Sequence, residues 1–528
     1  MSTGKFMIGV DMGTTSTKAV LFEESGEIVS QGSVEYPLHT PVPAVAEQDP
    51  DQLFRAVIDS VRQVMDKSGK STDDILCVSF SAAMHSLLVV DKEGKPLTQC
   101  ITWADNRSAK YWRQLKDDPK GHEIYMRTGT PIHPMSPLTK IMWITHEKKD
   151  VADAAHKYIS MKEYVFLKLF GEYVADHSMA SATGLLNLEK LDWDEEALTV
   201  AGITRDRLSK LVPTTQIMNG LHETYANEMG LSTSVPFVLG ASDGVLSNLG
   251  VGAIDPGVVA VTIGTSGAIR TVTEKPVTDP KGRFFCYALT EDKWVIGGPV
   301  NNGGIIFRWI KDEFAASEVE TAKRLGLSAY EVLTRIAEKV DPGADGLLFH
   351  PYLSGERAPL WNPDARGSFF GLALHHKKEH MIRAALEGVL FNLYTVMLAI
   401  EEQIGVPQKI HATGGFARSE LWRQMMADIF DQPVIVPESI ESSCLGAAVL
   451  GLYALKRIDT LDAVSSMIGT TYEHRPYKDH AAIYRELLPI YIRISRKFAE
   501  DYEDISEFQQ RMLEKRIPPE PEHHDHDL

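Results

Sequence analysis

Three stretches of this chain carry residue types that can do chemistry on a phosphate. Asp11-Met12-Gly13-Thr14-Thr15-Ser16-Thr17 sets a carboxylate beside a turn of glycine and hydroxyls. Such a turn exposes backbone N–H groups and side-chain hydroxyls together, a concave set of donors that suits phosphate oxygens, and glycine lets the backbone come close. Asp11 ends a short apolar run. Its natural use is to hold Mg²⁺ beside those phosphates, directly or through water; capping the turn is the other use. Thr262-Ile263-Gly264-Thr265-Ser266-Gly267 repeats the pattern about half a chain-length later. Thr413-Gly414-Gly415-Phe416-Ala417-Arg418-Ser419 follows a short apolar segment and precedes a helical pattern. That arrangement brings backbone against a flat ligand or a phosphate at a helix N-terminus, and Ser419 also has the type and place of an N-cap.

A second carboxylate stands in Phe237-Val238-Leu239-Gly240-Ala241-Ser242-Asp243-Gly244, where an apolar run stops and Asp243 follows. As a bare pattern it reads equally as a catalytic carboxylate facing a cleft or as the start of a helix. Neither the G-x-x-x-x-G-K-[ST] phosphate loop nor an opening G-x-G-x-x-G is present.

The elements that must position these residues follow from periodicity. Phe6 to Val10, Lys18 to Phe22 and the segment after Ser25-Gly26 read as a three-stranded meander, followed by a helix from about Pro50 to Met65. Val258 to Ile263 and Ala268 to Val272 read as two more strands around the second glycine turn. A repeat at this distance predicts two related α/β domains rather than a solenoid. The break falls near Gly250 to Pro256, giving domains over 1–252 and 253–455 and a helical extension over 456–528 with a disordered His- and Asp-rich end. The apolar stretch Ala384 to Ile400 contains Glu387 and Asn392 and reads as a buried amphipathic helix, not a membrane span.

Composition sets the outer limits. The 528 residues carry 54 Lys and Arg against 72 Asp and Glu, a net charge of −18, which disfavours nucleic acid and anionic membranes as partners. Four scattered cysteines with no metal-ligand spacing, and an N-terminus with no signal-peptide pattern, fit a cytoplasmic protein.

Taken in order, these residues resemble the FGGY family of carbohydrate kinases. The Asp11 to Lys18 hairpin is similar to its first phosphate loop, Ile263 to Gly267 to its second, and Gly414-Gly415 to its adenosine loop. Met135 to Trp143, Pro351 to Arg357, and Gly367 to Leu372 running on to Gly388 resemble further stretches of the family. The resemblance implies two actin/hexokinase-like (ribonuclease H-like) domains with the active site in the cleft between them. It also implies ATP with Mg²⁺, and transfer of the γ-phosphoryl group to a sugar or polyol hydroxyl. It assigns catalysis to Asp243 and metal to Asp11. Nucleotide contacts fall to Gly13, Thr14, Thr15, Gly264, Thr265, Gly304, Gly414, Gly415 and Ser419, and the sugar to Met84, His85, Trp103, Met135 and Asp243. Ala268 and Met84-His85 depart from the glycerol-phosphorylating branch. Gly244 stands where xylulose-phosphorylating members usually have Asn, and Ser81 to Ser86, Thr102 to Ser108, Thr128 to Pro134 and Ala241 to Asn248 are most similar to the bacterial branch that converts gluconate to 6-phosphogluconate. A sugar acid would need a cation, for which His85, Arg107 and Lys140 are the candidates. A pentulose kinase and a non-catalytic nucleotide-binding regulator are the competing readings. The one protein partner implied is a second copy of the chain.

Overall fold

The computed structural model describes residues 5–438 and 441–516; the chain's histidine-rich end lies outside the described residues. The meander is present as β1 (Phe6–Met12), β2 (Ser16–Glu23) and β3 (Ile28–Glu35), all antiparallel. The turn between β1 and β2 is closed by Gly13 N–H donating to Ser16 O at 2.9 Å. α1 (Pro50–Ser68) follows, its N-terminal amides capped by Asp49 and its end turned by Gly69 at φ 63°. β4 (Ile75–Ala82) runs parallel to β1, and β6 (Phe237–Ser242) parallel to β4, with β5 (Ile217–Met218) at the edge. The sheet order is β3-β2-β1-β4-β6-β5. α2 (Asp243–Gly250) leaves the end of β6.

The second half repeats this plan. β7 (Val258–Ile263), β8 (Gly267–Thr273) and β10 (Lys293–Val300) form the antiparallel part, with β9 (Phe285–Thr290) outside β10. β11 (Lys409–Thr413) joins β7 in parallel, β12 (Val434–Pro437) joins β11, and β13 (Thr470–His474) closes the edge. The second sheet runs β9-β10-β8-β7-β11-β12-β13, so in both halves an antiparallel meander ends in the glycine hairpin and the first strand of that hairpin is joined in parallel by a later strand, in keeping with the two related α/β domains expected from the repeat. The hairpins β1–β2 and β7–β8 occupy equivalent places.

Between β10 and β11 come α3 (Gly304–Phe314) and α4 (Lys378–Ile404). α4 is long and apolar enough to cross a membrane by length and composition, yet it is the core helix of the second half. Ile382 through Leu393 are buried without interruption. The helix is therefore covered all round rather than amphipathic; a three-to-four residue apolar rhythm also fits a helix whose remaining positions are Ala, Gly and paired polar groups. Glu387, for example, accepts the Gly343 N–H at 2.9 Å and lies 3.6 Å from Arg383.

α5 (Glu420–Phe430) follows β11, and α6 (Ser442–Ala454) crosses back to the first half. Three glycines permit that crossing. A Cβ on Gly9 of β1 would lie 2.1 Å from Cys444 O, one on Gly250 1.8 Å from Ser442 O, and one on Gly446 2.0 Å from Leu246 O. The result is a core shared by both halves: Met7, Val20 and Phe22 from the first sheet, Val245 and Leu249 from α2, Val272 and Val295 from the second sheet, and Leu445 to Leu450 from α6. The extension is not purely helical: it first supplies β13, which pairs with β12 and so belongs to the second sheet, and then forms α7 (Lys478–Lys497) and α8 (Ala499–Glu514). All four cysteines are free and buried.

Candidate active site

The two glycine hairpins face one cavity of about 330 Å³, lined on one side by Thr14, Met84, His85, Trp103, Asp243 and Gly244, and on the other by Gly264, Ser266, Ala268, Arg270, Tyr287 and Arg357. A volume of this order suits a small polar ligand. The first hairpin is braced from behind. Tyr36 OH donates to Gly13 O, and Gln48 donates to Thr14 O at 2.6 Å. Trp103 Nε1 donates to Thr14 Oγ1 at 3.0 Å.

Hairpin two is braced by the start of α3. Gly304 N–H donates to Gly264 O at 2.7 Å and Ile305 N–H to Thr265 O at 3.1 Å. The Gly304 amide is thus spent on the hairpin, and a Cβ there would lie 2.7 Å from Gly264 O. Gly304 supports the phosphate turn through its own backbone rather than offering its N–H to a ligand. Gly414 has φ 102° and would place a Cβ 2.2 Å from Ile263 O, so only glycine brings this third loop against the end of β7. Gly415 beside it is exposed and open. The Ser419 side chain caps α5, accepting the Trp422 N–H at 3.2 Å.

Two carboxylates stand at the strand ends. Asp11 Oδ1 accepts from Ser81 Oγ at 2.8 Å. Burial, then the charge of Asp243, raise the Asp11 carboxyl to about 7. Asp243 opens α2, with Oδ1 accepting the Gly244 N–H at 2.8 Å. Burial also raises its pKa, while Arg270 pulls it back down. A carboxylate whose ionisation is opposed by burial and by a second carboxylate's charge has the chemistry to accept a divalent cation. Among the described residues no group of three or more His, Cys, Asp or Glu side chains forms a closed metal cage. A pair of carboxylates facing a phosphate-binding turn fits Mg²⁺, which takes one or two carboxylates and fills its remaining positions with water and phosphate.

The sugar-side residues divide. Met84, His85 and Trp103 line the cavity. His85 sits at φ 69°, off the end of β4, with Nδ1 2.8 Å from Ala182 O. A carbonyl only accepts, so Nδ1 carries the proton and Nε2 is the acceptor. Burial, with Lys140 nearby, lowers this imidazole to about 3, so His85 is neutral and is not a cation for an acid. Met135 is fully buried in the core of the second half and does not line the cavity. Arg107 is paired to Asp105 and Glu47 at 2.9 and 2.7 Å. Lys140 is buried and donates to Met135 O. Neither reaches the cavity.

The cavity's cations are two other residues. Arg270 projects from β8 two positions beyond Ala268. Arg357 stacks on the Trp103 ring, 4.7 Å from its centroid, with Nε donating to Asn301 Oδ1 at 2.7 Å. Buried Glu356 holds that loop by accepting from Asn301 N–H at 2.6 Å and from Asn392 at 2.8 Å. Sequence reasoning passed over Arg270 because one arginine in an apolar strand carries no motif. The only sequence signal is its two-residue spacing from Ala268 behind the hairpin turn.

Comparison with known proteins places this geometry. The N-terminal domain of the FGGY family of carbohydrate kinases matches residues 6–250, and its C-terminal domain matches 259–455. The chain belongs to the FGGY family of carbohydrate kinases. Gluconokinase of Bacillus subtilis is 61% identical over 509 residues, covering 96% of this kinase and 99% of the relative. Gluconate kinase from Lactobacillus acidophilus superposes with a TM-score of 0.90 at 37% identity, covering 95% of this kinase and 100% of that chain. A ligand-bound xylulose kinase from the same organism gives the same TM-score of 0.90 and the same 37% identity and coverage. The fold is that of a two-domain carbohydrate kinase, with the cavity between the domains.

Proposed function

We propose that this kinase transfers the γ-phosphoryl group of ATP to the terminal hydroxyl of D-gluconate, giving 6-phosphogluconate and ADP. The observation that carries the substrate is the 61% identity to a gluconokinase along nearly the whole chain. The solved structures are equally similar to a gluconate kinase and a xylulose kinase and do not divide the two. A cytoplasmic setting is part of the same proposal, supported by the reaction's need for ATP.

In this reading Thr14, Thr15 and Thr265 donate to the phosphates from opposite sides, with Gly13 and Gly264 allowing close approach. Gly414 and Gly415 form the open wall for the adenosine. Asp11 would hold Mg²⁺, which supplies charge neutralisation of the phosphates when bound. Asp243 orients the attacking hydroxyl and accepts its proton as the new oxygen–phosphorus bond forms and the bond to the ADP oxygen breaks. Such transfer asks little covalent chemistry of a protein; positioning and electrostatics dominate. The Asp243 carboxyl, raised by burial and held down by Arg270, is a better base than an exposed aspartate.

The test is turnover by coupled ADP release on gluconate, xylulose, ribulose and glycerol. Gluconate should exceed each of the others in kcat/KM by at least about tenfold, the size of one lost polar contact at ~1.4 kcal/mol. A xylulose preference would replace the substrate and leave the kinase assignment intact. ATP binding without sugar-stimulated turnover would favour a regulator.

A further inference from the structure

Gly244 and Arg270 come from different halves of the molecule, on α2 and β8. A Cβ on Gly244 would lie 2.9 Å from Arg270 Cζ, Nε and Nη2 alike. The guanidinium therefore lies flat against the space that a side chain at 244 would fill. Asn at this position, as in the pentulose-type pattern, would collide with it. Arg270 also sits above Ala268, whose small side chain leaves the cavity open in front.

The guanidinium is not spent on the protein. Its Nε is buried and has no hydrogen-bond partner. Among the described residues no carboxylate oxygen lies within ion-pair distance of Arg270. Asp243 acts on it only as a nearby charge. Tyr287, stacked on Phe285 at 4.2 Å, carries a second buried polar atom with no partner, its hydroxyl, on the same cavity wall. Buried donors left unpaired are costly, and in a ligand cavity the natural remedy is a ligand that pairs them. A guanidinium fork facing a polar pocket matches a carboxylate in a bidentate geometry that no neutral hydroxyl reproduces.

We propose that Arg270, seated in the space left by Gly244, is the residue that selects a sugar acid over a neutral sugar, by pairing with the substrate carboxylate. Tyr287 OH is placed to donate to the same group. This rests on the gluconate reading above and names how that substrate is recognised. It also explains why a hairpin strand of the phosphate side carries a charge into the sugar pocket: β8 begins at the phosphate turn and reaches the far wall three residues later.

The experiment is calorimetric binding of D-gluconate and of D-glucitol, the neutral polyol with CH₂OH in place of the carboxylate, to the full-length protein. It is paired with steady-state kinetics. The wild type should bind gluconate at least tenfold more tightly than glucitol, a loss of glucitol binding counting as the same result. Arg270→Met should raise both the Kd and the KM for gluconate roughly 10- to 100-fold, the usual weight of a hydrogen bond to a charged group. Arg270→Lys, which keeps the charge and loses the fork, should fall between and decides the matter if the Met variant does not fold. Unchanged gluconate Kd in the variants, within about threefold, overturns the assignment even if kcat falls, and makes Arg270 a positioning residue for Asp243. A wild-type enzyme that turns over xylulose but ignores gluconate removes the substrate reading itself, and the subsite with it.

Discussion

The indole N–H of Trp103 donates to Thr14 Oγ1, and the face of the same ring carries the Arg357 guanidinium. One aromatic side chain thus ties the phosphate turn of the first half to the Ser354–Arg357 loop of the second. An indole only donates, so Thr14 is fixed as acceptor toward Trp103 and keeps its own proton for the cavity.

Trp103→Phe keeps the ring under Arg357 and frees the Thr14 rotor. The KM for ATP should rise about two- to tenfold, matching a neutral hydrogen bond of ~0.5–1.5 kcal/mol. Thr14→Val removes the donor itself and should cost more, about ten- to a hundredfold, as for a charge-assisted bond. A Phe variant with wild-type ATP kinetics would show that the indole only packs.

Asp243→Asn keeps the shape at the start of α2 and removes the proton acceptor. Turnover should fall by at least ~10²-fold while gluconate affinity moves little. Retention of more than about a tenth of wild-type turnover would make Asp243 a structural residue.

Asp11 makes the ligand-free protein pH-sensitive. Its carboxyl binds a proton more tightly in the folded state, at about 7, than at its ordinary 3.8. Between those values the folded state holds the extra proton, so the contribution of Asp11 to stability is fullest at low pH and is lost as pH rises from about 4 to about 7. Asp11→Asn should abolish that penalty. Its melting temperature without ligand should exceed the wild type's at pH 8 by on the order of 10 °C, since the shift is worth ~4 kcal/mol at about 2–4 °C per kcal/mol for a domain of this size, and match it near pH 4. The same variant should lose Mg·ATP turnover. A difference between variant and wild-type melting temperatures that stays constant across this pH range would show that Asp11 is not strained.

Gly446→Ala inserts a methyl 2.0 Å from the Leu246 carbonyl. Overpacking of this kind costs ~1–3 kcal/mol, so a drop of several degrees in melting temperature is expected. Gly415→Ala, which meets nothing within 4 Å, should melt like the wild type. Equal melting of both would mean that the helices slide apart freely.

The parts legible from sequence were those whose cause is local. The β1–β2 and β7–β8 turns carry their own glycines and hydroxyls, and α1 its apolar periodicity, so each could be placed from its neighbours alone; the helix runs on to Ser68, where Gly69 turns it. The position of Asp243 at a strand end was also readable. The pairing of Gly244 with Arg270 was not, because it forms only when two sheets meet, and nothing along β8 marks it. Arg107 and Lys140 sit in the polar motifs and drew attention for that reason. Their partners lie within the protein: Asp105 and Glu47 for Arg107, and the Met135 carbonyl for Lys140. Met135 belongs to a familiar stretch yet faces the core, since a resemblance transfers a position and not the direction of a side chain.

The return of α6 to the first sheet has a consequence for synthesis. A ribosome delivers β1 to α2 first, but the helix that covers Met7, Val20 and Leu249 arrives roughly 190 residues later. At ~5–20 residues per second that is a wait of about 10–40 s with an apolar sheet face uncovered. The amino-terminal half is thus an unfinished object while it is being made, and its completion belongs to nearly the last segment of the catalytic chain to emerge.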